Sequence, residues 1–225
     1  MRRYMRLKKH LTSFQIIIMG FAGVILAGAF LLMLPCSSTS GKITPFFDAL
    51  FTSTSAVCVT GLVVVDSGSY WTMFGQAVIL LLIQIGGLGL VTLTAFFNLA
   101  LRKKLGFKRM MLASESISLD EAAGTKKMLY LVMQTSFGFV LSGAIARSSA
   151  FVPRFGGKGI WMSVFTAVSA FCNAGFDMFG CLGQYGSLTF FANSWYILTI
   201  VALLIICGGL GFIVWQDLFA FRQRK

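Results

Sequence analysis

The chain has 225 residues, 57% of them hydrophobic and only 12% charged, with a mean hydropathy of +0.83 and a formal net charge of +12. A soluble domain carries about 25% charged residues, so the composition excludes an ordinary soluble domain. It also argues against an enzyme: His10 is the sole histidine, and no constellation of His, Cys and carboxylate can be assembled.

Taken in chain order, the charge-free runs are 11–41, 67–101, 128–146 and 178–216. A membrane span needs roughly 20 apolar residues, so each run holds one helix. The first run follows Arg2, Arg3, Arg6, Lys8 and Lys9. Its apolar core over 14–34 exceeds the roughly 7–15 residues of a signal-peptide core, and it reads as a span ending at Pro35. Pro45 opens a second, shorter helix, with Asp48 placed favourably in its first turn. That helix, over 45–57, is too short to cross and carries Thr52, Ser53, Thr54 and Ser55 in a row. It reads as a re-entrant pore helix followed by irregular backbone over 58–62. Such backbone survives at membrane depth only inside protein or along a wet cavity. A span over 70–101 completes a first unit.

Residues 102–127 form a basic cytoplasmic linker, and the plan then repeats. A helix over 128–151 ends at Pro153. Gly156, Gly157, Lys158 and Gly159 make an outer turn. A short helix covers 160–171, an extended segment 173–176, and a final helix 193–219. Basic residues gather at the N-terminus, at 102–109, at Lys126 and Lys127, and at Arg222, Arg224 and Lys225. Lys and Arg collect at cytoplasmic helix ends. This pattern predicts a multi-pass protein of the cell membrane with both termini cytoplasmic, its partner the lipid bilayer and not nucleic acid. The expected fold is all-α and polytopic: two membrane–pore-loop–membrane repeats, with four transmembrane helices and two short pore helices. The divisions fall at 1–101, 102–127 and 128–225.

The repeat is legible in the letters. Phe51, Thr52, Ser55, Ala56, Cys58 and Gly61 match Phe165, Thr166, Ser169, Ala170, Cys172 and Gly175. Gly86-Gly87-Leu88-Gly89 matches Gly208-Gly209-Leu210-Gly211. A dehydrated cation needs oxygens in place of its water, and backbone carbonyls supply them in selectivity filters. Glycine reaches the required dihedrals at low cost, which makes Gly61 and Gly175 the candidates, with Thr60 and Asn173 as polar braces. Asp66 and Asp177 follow the two segments. They read as cation-attracting charges at an outer mouth or, equally, as solvated loop charges. Gly86, Gly87, Gly89, Gly208, Gly209 and Gly211 read chiefly as a helix-packing surface, with contact to the pore loop second. Ser53 and Ser55 have a plain reading too, as partners for backbone groups of their own helix. The five cysteines show no metal spacing.

Phe47-Asp48-Ala49-Leu50-Phe51-Thr52, Val59-Thr60-Gly61-Leu62, Gln84-Ile85-Gly86-Gly87-Leu88-Gly89 and Ala170-Phe171-Cys172-Asn173-Ala174-Gly175-Phe176 resemble the Trk/Ktr/HKT superfamily of potassium transporters. The likeness is nearest to the membrane subunit of the bacterial Ktr system and covers nearly the whole chain. It implies potassium uptake through a pore of four repeats, with K+ at Cys58, Val59, Thr60 and Gly61 and at Asn173, Ala174 and Gly175. It implies Na+ as a coupling ion, no covalent cofactor, dimers, and a cytosolic regulatory subunit with nucleotide-binding RCK domains. Two departures stand out. The chain holds two repeats where the family has four, so it looks like the N-terminal half. The family pattern also anticipates a glutamate near Val140 and an arginine near Ala150, and both positions are apolar. Three readings follow: half of a transporter that needs a complementary second half, a half-transporter completed by a second copy, or a non-conducting accessory or truncated protein that assembles with other transporter subunits.

Overall fold

The structure is a computed structural model that describes residues 13–89, 119–211 and 214–215. The expected basic N-terminus, most of the linker, the C-terminal basic cluster and the far ends of the second and fourth spans lie outside those residues. The regular elements among the described residues are helices, with one isolated antiparallel bridge between Ser38 and Trp71. Over the described residues, no helix is long and apolar enough to cross a membrane.

Helix α1 runs Ser13–Met33. It stops because Leu34 precedes a proline and is pushed to extended backbone (φ −60°, ψ 140°). Helix α2 spans Phe46–Val57, entered through Pro45 with Asp48 in its first turn. Helix α3 spans Met73–Leu88, and its N-cap Thr72 accepts the Gly75 N–H at 3.3 Å. Helix α4 spans Leu119–Phe155, α5 Gly157–Phe171 and α6 Trp195–Gly209. Helices α1, α2 and α3 contact one another, as do α4, α5 and α6, and α3 meets α5 between the two units.

Four expected boundaries are corrected. Helix α4 does not end at Pro153 but at Phe155. A proline so near a helix end forfeits one backbone bond, whereas Gly156 at φ +60° ends the helix by leaving its conformation. The expected outer turn over 156–159 is therefore one residue long, and Gly157 to Gly159 are already helical. Gly159 serves packing: a Cβ there would lie 2.5 Å from the Phe151 carbonyl oxygen, so α5 starts hard against α4. A helix also ends at each glycine motif. Helix α3 stops at Leu88 before Gly89, and α6 at Gly209 just before Gly211, each of the two following glycines at φ +80°.

One buried cluster joins the units. Val57 and Ile83 belong to it with Phe165, Phe171, Cys172, Ala174 and Phe179. Polar bonds reinforce the seam. The Gln76 amide donates to the Trp71 carbonyl, and its oxygen accepts the Trp161 indole N–H, both at 2.9 Å.

Candidate functional site

The two short helices end in the same backbone figure. After α2, the Cys58 N–H donates to Thr54 O (2.8 Å), Val59 to Ala56 O (3.3 Å) and Thr60 to Ser55 O (3.0 Å). After α5, Cys172 donates to Val168 O (2.9 Å), Asn173 to Ala170 O (3.1 Å) and Ala174 to Ser169 O (2.7 Å). This pairing satisfies the orphan carbonyls of a helix end and requires a left-handed residue at its second step. Val59 and Asn173 fill that step at φ 57° and 58°. Gly61 and Gly175 turn left-handed again at 74° and 75°. Asparagine tolerates such a φ, but a β-branched valine there is an outlier, and nothing in the sequence marked it.

The segments touch. A Cβ on Gly61 would fall 2.5 Å from the Ala174 carbonyl oxygen and 3.1 Å from the Gly175 Cα. Only glycine allows this approach. The braces differ between the copies. The Thr60 and Ser55 hydroxyls pair at 2.9 Å, whereas the second copy has Ala174 in place of Thr60. The remaining hydroxyls of α2 have local duties. Thr52 and Thr54 donate to the Asp48 and Leu50 carbonyls, and Ser53 donates across to Ile25 of α1 at 2.7 Å.

The glycine motifs sit behind these segments. A side chain on Gly86 would overlap the Val57 carbonyl, and one on Gly208 the Phe171 carbonyl, the last residues of α2 and α5. The next glycines differ. Gly87 faces the Cys172 side chain, with 2.5 Å from an added Cβ to Sγ, whereas Gly209 has only the Asn173 amide at 3.8 Å. Leu88 is 4% exposed and its counterpart Leu210 is 48% exposed. Cys172 is buried and its counterpart Cys58 exposed. The first unit's motif thus lies against Cys172 of the second unit, and among the described residues the second unit's motif has no such neighbour.

The two aspartates part ways. Asp66 is 7% exposed, so it is not a solvated loop charge. Its Oδ1 accepts Gly68 N–H (3.0 Å), Ser69 N–H (2.8 Å) and the Ser69 hydroxyl (2.8 Å), and its Oδ2 accepts Tyr185 N–H (3.0 Å). Asp177 is half-buried. Burial raises its pKa above the ordinary value, and Asp66 raises it further. The Phe179 N–H and Ser187 side chain, both bonded to it, pull the other way.

Sequence reading missed Arg147. It lies one turn before Ala150, where the family resemblance anticipated an arginine, and is only 1% exposed on α4. It lines a cavity with Asn173, Gly175 and Asp177. Its position in a long apolar run gave no sign of its surroundings. Among the described residues, no group of three or more His, Cys, Asp or Glu gathers to hold a metal.

Residues 6–225 match the TrkH model, described as a cation transport protein. The chain is 43% identical over 221 residues to the potassium/sodium uptake protein NtpJ of Enterococcus hirae, covering 98% of this chain and 48% of that protein. It is 39% identical over 212 residues to the Ktr system potassium uptake protein B of Bacillus subtilis, covering 94% of this chain and 46% of that protein. The protein of the same name in Vibrio alginolyticus is 37% identical over 207 residues, covering 91% of this chain and 44% of that protein. The chain thus spans about half the length of the curated relatives it matches. It belongs to the TrkH family of cation transport proteins.

Proposed function

We propose that the chain supplies two of the cation-lining segments of a potassium uptake pathway in the cell membrane. Segments 58–61 and 173–175 line the path, Gly61 and Gly175 stand at its narrowest point, and Na+ is the coupling ion. The observation that carries this reading is the shared backbone figure at the ends of α2 and α5, closed by the glycine-to-glycine approach of Gly61 and Gly175. Helix C-termini carry partial negative charge, and both short helices end at these segments. The named uptake activities of NtpJ and the Ktr B proteins agree with it. Asp177 adds negative charge beside Gly175, while Asp66 serves as a brace. The termini face the cytoplasm, following the distribution of Lys and Arg. A cytosolic RCK-domain subunit belongs to the same reading through the family resemblance.

The unmatched glycine motif of the second unit favours a larger ring over two units alone. The contact between the units is head-to-tail, and such contacts repeat until the ring closes. Either a complementary half or a second copy of this chain closes it. The test is rubidium uptake and growth rescue in a bacterial strain lacking potassium uptake. Expressed with a complementary half, the chain is expected to restore uptake, and Gly61→Ser or Gly175→Ser to remove most of it. Uptake by these residues alone identifies a second copy as the closing partner. Uptake indifferent to both substitutions removes the reading and leaves a non-conducting accessory protein. Thiol labelling adds an independent check. With the other cysteines replaced, Cys58 is expected to label in the isolated chain and to be shielded after assembly, and Cys172 to stay unlabelled throughout.

A further inference from the structure

Arg147 is 1% exposed, and its Nε and Nη2 have no hydrogen-bond partner among the described residues. Its guanidinium carbon stands 4.9 Å from the centroid of the Phe151 ring, which satisfies a face of the cation but none of its N–H donors. The side chain lines a cavity of about 210 Å³ shared with Thr166, Ser169, Asn173, Asp177 and Ser187. A guanidinium taken out of water requires a counter-charge and acceptors for its N–H groups. Asp177 shares the cavity but leaves the guanidinium Nε and Nη2 without an acceptor, and Asp66 is not among the lining residues. Both Asp66 oxygens accept backbone or hydroxyl protons, and the Asp177 carboxylate is bonded to Phe179 N–H and to Ser187.

The cavity meets the unmet requirement. A water molecule occupies about 30 Å³ of liquid volume, so the space holds one small anion with some of its hydration. The lining mixes donors (the guanidinium, the Ser169 hydroxyl, the Asn173 amide) with the apolar walls of Val201 and Ile205, and the Asp177 carboxylate takes the Ser187 side-chain bond at its edge. A metal cation finds a fixed positive charge there. We propose that this cavity binds one small monovalent anion of the chloride class against Arg147, directly behind the segment carrying Asn173 and Gly175. Under the transport reading, the anion joins Asp177 in offsetting the positive charge that Arg147 presents to a cation at Gly175. The binding itself does not depend on that reading.

The experiment is equilibrium dialysis of the purified full chain in detergent against radioactive chloride, with gluconate as the replacement anion. Saturable binding near one chloride per chain is expected, with at least a tenfold loss of affinity in Arg147→Met and a smaller loss in Arg147→Lys. Absence of saturable binding in the wild type overturns the proposal, as does binding unchanged in Arg147→Met. Should Arg147→Met fail to fold, crystals of the wild-type chain grown in bromide decide the location. An anomalous peak within hydrogen-bond reach of the guanidinium supports the site. A peak elsewhere only, or a carboxylate of another chain seated on Arg147, overturns it. Rubidium uptake is not measured in either experiment, so failure here and failure of the transport reading are separate results.

Discussion

The Asp66 carboxylate accepts the backbone N–H of Tyr185 at 3.0 Å, so a buried side chain in the loop after the first segment holds the loop after the second. Tyr185 returns the contact by donating its hydroxyl to the Val64 carbonyl at 3.2 Å. The loops interlock further, since any side chain on Gly180 would overlap Asp66, and a Cβ on Gly68 would lie 2.7 Å from the Gly180 nitrogen. Asp66→Asn puts an NH2 where an oxygen now accepts an N–H. A buried donor left without its acceptor costs about 1–3 kcal/mol. Urea or thermal unfolding of the purified chain is expected to register that loss, and Asp66→Glu is expected not to restore it, because the longer side chain does not fit the same four donors.

The first glycine of each motif is expected to be intolerant of a single methyl. Gly86→Ala and Gly208→Ala press a carbon into the Val57 and Phe171 carbonyls. Overpacking of this kind costs about 1–3 kcal/mol. Gly23, on α1, has nothing within 4 Å of an added Cβ. Gly23→Ala is expected to be neutral or to stabilise by about 0.5–1 kcal/mol through helix propensity. Melting temperatures of the three variants in one detergent check the contrast; equal losses at all three sites would contradict it.

Val59 holds a left-handed φ that asparagine holds at the matching Asn173. Strain of this type costs about 1–3 kcal/mol. Val59→Asn is therefore expected to raise the unfolding free energy by about 1 kcal/mol, less whatever packing the half-buried valine supplies. A lower stability in Val59→Asn would mean that packing outweighs backbone strain.

Asp177 gives a pH signature. Its pKa is raised in the folded state, so the folded chain holds that proton more tightly than the unfolded chain. Its ionisation therefore costs stability as pH rises from about 4, the ordinary aspartate range. Above the raised pKa the full penalty is present; below the unfolded value it vanishes. Asp177→Asn is expected to be more stable than the wild type at neutral pH and to lose that advantage below about pH 4. Unfolding curves of both proteins at several pH values measure it, and a difference independent of pH would refute the assignment.

Much of the local design was readable in the letters. Pro35, Pro45 and Asp48 marked a helix stop and a helix start, and the doubled Cys-to-Gly spacing marked two equivalent segments. Glycine at 61 and 175 signalled a backbone that other residues reach only with strain. The end of α4 was misread because Pro153 is a strong local signal, yet Gly156 supplied the actual stop. Left-handed Val59 was invisible, because the helix-end bonding that demands it comes from Ala56 and Ser55 rather than from the valine itself.

The sequence by itself determined the helical character, the register of the repeat and the places where only glycine serves. These follow from neighbours within a few residues and from the period of the apolar pattern. Only the tertiary structure decided that Asp66 is a buried brace, that Arg147 is buried with its Nε and Nη2 unbonded among the described residues, and that Leu88 is buried while Leu210 is exposed. Leu88 and Leu210 sit in the same four-letter motif. Beside Leu88, Gly87 lies against Cys172 of the second unit, a contact between distant parts of the chain that no local pattern encodes.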